Sequence, residues 1–291
     1  MKSSRSRFLE VRGVRYHVRE WGREGAPRLF LLHGWMDVSA SFQFVVDELE
    51  GDWHVIAPDW RGFGLSEWCG DAYWFPDYFA DLDSILEQLQ PSGEVRLAGH
   101  SLGGNVALMY AGIRPSRVAR VVVLDGFGLV DRSPEEAPGR YEKWLHDLRS
   151  PAQFRPYADF DTLAARLCRD NPRLSAERAI WLARHLGEDD GQGGVRLAGD
   201  PAHRRVNPVL YRRAESEACW RRVSAPVLWV EPDDQSLRQR IGVNDESYES
   251  AKACLRDVRV STIKDAGHNL HHDQPQQVAG IIEAFLRSEH A

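Results

Sequence analysis

The chain offers one serine in a setting that could make it a nucleophile. Gly99-His100-Ser101-Leu102-Gly103 follows the apolar run Val95-Arg96-Leu97-Ala98 and precedes the amphipathic stretch Asn105 to Ala111. A buried strand, a tight turn and a helix are expected there. The pattern G-x-S-x-G in that context lifts the hydroxyl above a sheet edge, because flanking glycines let strand and helix pack closely around a strained turn. The helix starting at the serine presents free N–H groups, which favour developing negative charge. A serine hydroxyl needs a base, and the base a carboxylate to orient it. His268 in Asp265-Ala266-Gly267-His268, a glycine-containing loop after the last expected strand, is the candidate base. The carboxylate has competing candidates. Asp125 ends Val121-Val122-Val123-Leu124, and Asp234 follows Val227-Leu228-Trp229-Val230 through Glu231-Pro232-Asp233. Spacing also leaves Glu231 and Asp233 open.

These residues must be held by a scaffold. Phe8–Val11 and Val14–Trp21 read as a hairpin turning at Arg12-Gly13. Arg28–Leu32 and Trp53–Ala57 are continuous apolar runs, as in strands covered on both faces. Ser39 is a candidate cap for a helix from Ala40 to Leu49. Tyr73 to Leu89 carries Phe79, Leu82, Ile85, Leu86 and Leu89 at helical spacing, with Pro76 in the first turn. After Val118–Leu124 the alternation stops. Residues 127–223 show helical patches at Tyr141–Leu148, Leu163–Arg169, Ala176–Leu186 and Glu215–Arg221, separated by the Gly-rich interval Gly187–Gly194. The strand pattern resumes at Pro226–Val230. Ser247–Leu255 reads as a helix, Val258–Ile263 as the last strand and Pro275–Leu286 as the closing helix. Alternating strands and helices argue for a parallel sheet with helices on both faces. The expected division is a core of residues 1–126 and 224–291 with a helical cap of residues 127–223.

Composition narrows the function. A net charge of −6 with interleaved charges speaks against a nucleic-acid surface. No apolar run is long enough to span a membrane, and no secretory leader is apparent. Cys69, Cys168, Cys219 and Cys254 are widely spaced, form no C-x-x-C pair and point to reduced thiols and a cytoplasmic protein. The string His268-Asn269-Leu270-His271-His272-Asp273 is the nearest approach to a metal motif. Without Cys or Glu partners it reads instead as surface groups or a filled cap base, so no metal or cofactor is expected. Nothing in the sequence fixes an oligomeric state.

Together, Gly99-His100-Ser101-Leu102-Gly103, His33-Gly34-Trp35, Asp59-Trp60-Arg61-Gly62-Phe63-Gly64-Leu65-Ser66 and Gly267-His268 resemble the α/β-hydrolase fold superfamily in order and spacing. Leu32-His33-Gly34-Trp35-Met36-Asp37, with Gly199-Asp200-Pro201, Asn207-Pro208 and Tyr211-Arg212, is similar to its serine-hydrolase-like subgroup. The resemblance implies an eight-stranded, mostly parallel sheet and a triad in the order Ser, acid, His. It implies Ser101, Asp234 and His268 as that triad, because the acid more commonly follows the later strand; Asp125 is the alternative. By role, the backbone N–H groups of Leu102 and Trp35 would form the oxyanion hole. Trp35-Met36 replaces the glycines of lipase-type loops. In such folds the Asp59–Ser66 loop is structural, and His100 is expected to be a hydrogen-bonded scaffold residue. Aromatics such as Trp74, Phe75, Trp144, Trp181 and Trp220 are core or cap packing, some of them lining an apolar pocket. The expected activity is hydrolysis of an ester or related acyl bond of a small, largely apolar substrate through an acyl-enzyme. Amidase, thioesterase, C–C hydrolase and cofactor-free peroxidase chemistry are neighbouring options. A hydrolase-fold protein that binds or signals with little turnover is the alternative class.

Overall fold

The computed structural model describes residues 1–70, 72–150 and 152–288. Its centre is one eight-stranded sheet. The strands are β1 (Ser4–Val11), β2 (Val14–Trp21), β3 (Arg28–Leu32), β4 (His54–Pro58), β5 (Val95–His100), β6 (Val118–Leu124), β9 (Val227–Pro232) and β10 (Val258–Ile263). Their spatial order is β1-β2-β4-β3-β5-β6-β9-β10. The first hairpin turns through Arg12 and Gly13, both at positive φ (51° and 77°). That geometry matches the twist of a two-residue hairpin loop. β2 joins β4 antiparallel, and from β4 to β10 every pairing is parallel.

Alternate residues of each central strand serve opposite faces, as the two-residue period of a strand requires. Phe30, Leu32, Val121 and Val123 enter one apolar layer, closed by α2 (Phe75–Leu89), α3 (Leu102–Ile113) and α9 (Asp245–Ala253). Leu29, Leu31, Val122 and Leu124 enter the other, closed by α1 (Gln43–Glu48), α10 (Leu270–Asp273) and α11 (Pro275–Arg287). Burial on both faces explains why these strands read as unbroken apolar runs.

Between β6 and β9 the chain adds no strand to this sheet among the described residues. It forms α4 (Ala137–Asp147), α5 (Phe160–Asp170), α6 (Ala176–Leu186) and α7 (Arg213–Trp220). The Gly-rich interval is more than a separator: it makes a small antiparallel ribbon of β7 (Gly187–Asp189) and β8 (Val195–Leu197). α5 and α6 form their own apolar cluster, seated on Phe44 of α1. Ser39 differs from expectation. It begins a short 3-10 turn, its hydroxyl caps nothing, and its N–H donates to Asp59 at 2.6 Å. A further short helix, α8 (Ser236–Arg240), follows β9 where the sequence pattern gave no period to read.

Candidate active site

Ser101 sits between β5 and α3 at φ 51°, ψ −113°. L-residues enter that region only under constraint, and the constraint is visible in the neighbouring glycines. A Cβ on Gly99 would lie 2.3 Å from the Gly103 carbonyl, and one on Gly103 would lie 2.0 Å from the Leu32 carbonyl. Strand and helix can therefore close around the serine only with glycine at both places. The Ser101 N–H donates to the Leu124 carbonyl at 2.9 Å, tying the turn to the end of β6.

Asp125 stands at the matching place on the next strand. His100 pairs with Leu124 in the β5–β6 register, so Ser101 and Asp125 are the residues that leave the two strands side by side. Asp125 also has positive φ, 48°, and its N–H donates to Val230 at 2.8 Å. Its carboxylate accepts a hydrogen bond from His268 Nδ1 at 2.6 Å. This corrects the expectation for Asp234. The Asp234 side chain is 36% exposed and faces Arg173 at 3.1 Å and the Ser236 N–H at 3.0 Å. The β9 loop instead holds the histidine loop by its backbone. Asp233 accepts the N–H groups of Asp265 and Ala266, and Asp234 N–H donates to the Ala266 carbonyl at 3.1 Å. Glu231 is engaged by Tyr248 Oη at 2.6 Å. Burial pushes the Asp125 carboxyl above the usual carboxylate range, with the His268 hydrogen bond working against that rise.

His268 is held from behind. Its carbonyl accepts His100 Nε2–H at 2.8 Å, and the two rings lie 4.7 Å apart. A carbonyl only accepts, so His100 carries its proton on Nε2. Burial pushes the His100 imidazole well below its usual range, keeping it neutral. His100 is thus the scaffold residue expected. With Nδ1 donating to Asp125, His268 keeps the Nε2 lone pair for a proton. Among the described residues no hydrogen bond joins the Ser101 hydroxyl to His268.

The loop after β3 completes the surroundings. A Cβ on Gly34 would fall 2.8 Å from His100 Nδ1 and 3.3 Å from the Ser101 Cβ, so this loop lies directly on the serine turn. Its shape is fixed by His33, whose Nδ1 donates to the Gly34 carbonyl at 2.7 Å and whose Nε2 accepts the Trp60 N–H at 2.8 Å. The Trp35 N–H and the Leu102 N–H, the first of α3, have no acceptor among the described residues. The Asp59–Ser66 loop is structural, as expected. Asp59 accepts from His17 Nδ1 at 2.7 Å and Leu65 N–H at 3.0 Å, and Arg61 pairs with buried Asp81.

His271 and His272 are buried, not surface groups. His271 Nε2 lies 3.5 Å from Asp37, and His272 packs edge-on to Phe44. Burial lowers the His272 imidazole to about 3. Asp37, His100 and His271 each place one possible ligand atom within 4.8 Å of the others, a grouping that sequence spacing alone did not show. Asp37 is already engaged by the Val38 N–H at 2.9 Å and the Ser41 hydroxyl at 2.8 Å.

A pocket of about 610 Å³ opens beside the serine turn. Leu102, Trp35, Trp74, Phe79, Met109 and Trp144 give it an apolar wall, and Asn207–Arg212 closes another side. Trp35 is 53% exposed. Trp181 is not part of this lining: it packs 5.3 Å from Phe44 and stacks on His185. Trp220 is buried in the core.

Comparison with known proteins identifies the fold and the family. The alpha/beta hydrolase family model matches residues 29–281. A serine hydrolase-like protein from Danio rerio is 29% identical over 279 residues, covering 92% of this chain and 84% of its own length. A 3-hydroxybutyrate-oligomer hydrolase from Cupriavidus necator is 29% identical over 285 residues, covering 93% and 92%. Among solved structures, the thioesterase domain from the curacin biosynthetic pathway superposes with a TM-score of 0.87 at 25% identity, over 97% of this chain and 99% of that one. The sheet order, the serine turn between β5 and α3 and a family match spanning nearly the whole core place this chain in the alpha/beta hydrolase family, where it resembles the serine-hydrolase-like subgroup.

Proposed function

We propose that this hydrolase cleaves carboxylic esters through an acyl-enzyme on Ser101, with His268 as base, Asp125 as its carboxylate partner and the N–H groups of Leu102 and Trp35 as oxyanion donors. The observation that carries the reading is the 2.6 Å contact from His268 Nδ1 to a carboxylate that is 6% exposed, on the strand adjoining the serine turn. A buried carboxylate there fixes the imidazole tautomer that leaves Nε2 free to take the Ser101 proton. The serine oxygen then bonds to the acyl carbon, and the carbonyl electrons move onto oxygen. The two N–H donors meet that charge as it forms, which is where catalysis gains most. Collapse expels the alcohol, protonated by His268. A water, deprotonated by the same imidazole, releases the acid and restores the serine. Nucleophile, base and charge stabilisation all come from the chain, so the reading requires no cofactor.

The apolar wall of the pocket favours a small, largely apolar acyl substrate. Residues 127–223 act as a cap that selects it. The hydrolase names of the relatives support hydrolysis as the reaction class. The four free cysteines, all half-buried, accord with a reducing cytoplasmic setting. No described helix is long and apolar enough to cross a membrane. The test is turnover of p-nitrophenyl esters of two to eight acyl carbons, run beside matched amides and thioesters. Saturable ester hydrolysis lost in Ser101→Ala supports the reading. Ester hydrolysis that persists in that variant overturns it.

A further inference from the structure

Charge in the pocket is unlike charge on the rest of the chain. The protein carries −6 overall, yet its pocket is lined by Arg140, Arg205 and Arg212 against a single acid, Glu215. Arg205 is already engaged elsewhere. Arg140 lies on α4, one helical turn before Trp144, and is half-buried. Its Nε donates to the Asn207 carbonyl at 2.5 Å, which fixes the guanidinium plane. Its two terminal nitrogens have no acceptor among the described residues. The Arg212 side chain is exposed at the pocket edge and makes no hydrogen bond or ion pair among those residues. It contributes to holding the exposed Glu135 carboxyl below its usual range, after the Ser133 hydrogen bond that dominates that shift. Glu215 is exposed, so water screens its pull on the arginines.

A guanidinium fork facing an apolar cavity is matched by a carboxylate. The planar donor pair fits two carboxylate oxygens, and charge-assisted hydrogen bonds there gain strength as water is displaced. We propose, resting on the ester-hydrolase reading, that the pocket binds esters bearing a second, free carboxylate remote from the scissile bond, held by Arg140 and Arg212. The substrate class is then an acid-terminated ester, with its apolar middle along Trp74, Phe79 and Trp144 and its anionic end on the two arginines. A neutral fatty-acyl ester satisfies the wall but leaves the guanidinium groups unpaired.

The test compares matched pairs that differ only in that charge. On the acyl side, the pair is the p-nitrophenyl monoester of adipic acid and the same compound with its free acid methylated. On the alcohol side, it is the butyryl ester of 3-hydroxybutyrate and its methyl ester, followed by acid release. A preference in kcat/KM of about 10–100-fold for the charged member of at least one pair is expected, the range of one or two hydrogen bonds to charged groups. In Arg212→Gln that ratio should fall by about tenfold, and further in Arg140→Gln/Arg212→Gln. High salt should lower it in the parent protein. The Arg212 side chain bonds to no described residue, so its single variant keeps the test readable if loss of the Asn207 contact unfolds the double variant. No preference in either pair, or a preference unchanged by Arg212→Gln, overturns the proposal. Absence of covalent labelling at Ser101 by a fluorophosphonate would instead remove the hydrolase reading beneath it.

Discussion

Replacing Asp125 by asparagine should separate catalysis from stability. The Asp125 carboxylate lies 2.6 Å from His268 Nδ1 and is 6% exposed. An amide is nearly isosteric but can donate a hydrogen bond as well as accept one. It no longer enforces the Nδ1–H tautomer and cannot balance the imidazolium that forms during acyl transfer. Such an exchange at this role costs roughly 10⁴-fold in kcat, about 5 kcal/mol of barrier. Stability should move the other way. Burial raises the Asp125 carboxyl, so its ionisation opposes folding. A group with a raised folded-state pKa favours folding below its unfolded pKa and loses that contribution as pH rises through the folded value. At neutral pH the charged form is therefore a cost that asparagine removes, and Tm of Asp125→Asn should equal or exceed that of the parent. Asp234→Asn is the control. Its carboxylate faces Arg173 and the Ser236 N–H near the surface, so kcat should change by no more than a few-fold. The assay is p-nitrophenyl ester turnover with thermal denaturation on the same samples. A large loss in Asp234→Asn with little loss in Asp125→Asn would make Asp234 the carboxylate that serves His268. A Tm drop in Asp125→Asn large enough to explain its inactivity would make Asp125 a structural residue instead.

Three further outcomes follow. Burial tends to raise the Asp59 carboxyl, but the His17 hydrogen bond and charge outweigh it and bring it down to about 2. That stabilisation is present above the unfolded carboxylate pKa and is lost as pH falls toward about 2. Tm should therefore drop across that window, and the drop should be shallower in Asp59→Asn, with about 2 kcal/mol at stake; equal slopes would show that Asp59 is not the group responsible. His268→Ala should abolish turnover while keeping Tm, whereas His271→Gln, which strips a fully buried partner from Asp37, should cost about 1–3 kcal/mol in urea unfolding and retain measurable turnover; the opposite split would exchange their roles. Trp144→Ala should change the ranking of ester chain lengths because Trp144 lines the pocket, while Trp181→Ala should lower Tm and leave the ranking intact; an unchanged ranking in both would place selectivity outside this wall.

The parts of this protein most legible in its sequence are those with a strong local cause. Apolar runs two faces deep marked β3 to β6, and the hairpin at Arg12-Gly13 followed from alternation and a glycine. The serine turn was readable because two close backbone approaches permit only glycine at positions 99 and 103. His268, which the structure sets against Asp125, stood out by its place after the last strand. The carboxylate was not readable in the same way. Asp125 and Asp234 both follow strands that are neighbours in the sheet, and only the folded chain sets the Asp125 carboxylate against His268 and leaves Asp234 facing Arg173. That difference leaves no mark on composition or spacing. The pairing of His271 with Asp37 was hidden for a related reason: the residues are remote in sequence and meet only when the β3 loop folds onto the serine turn. The β7–β8 ribbon lies in a glycine-rich stretch whose strands are three residues each, too short to show a period.

The most direct test of the account is where a covalent serine probe lands. Purified protein treated with a fluorophosphonate and examined by intact and peptide mass spectrometry should gain one adduct per chain, on the peptide containing Ser101. Ester turnover should fall in proportion to labelling, and Ser101→Ala should take up no probe while keeping its folded circular-dichroism spectrum. A labelled serine elsewhere, or full ester turnover in a folded Ser101→Ala protein, would contradict the assignment of Ser101 as the nucleophile.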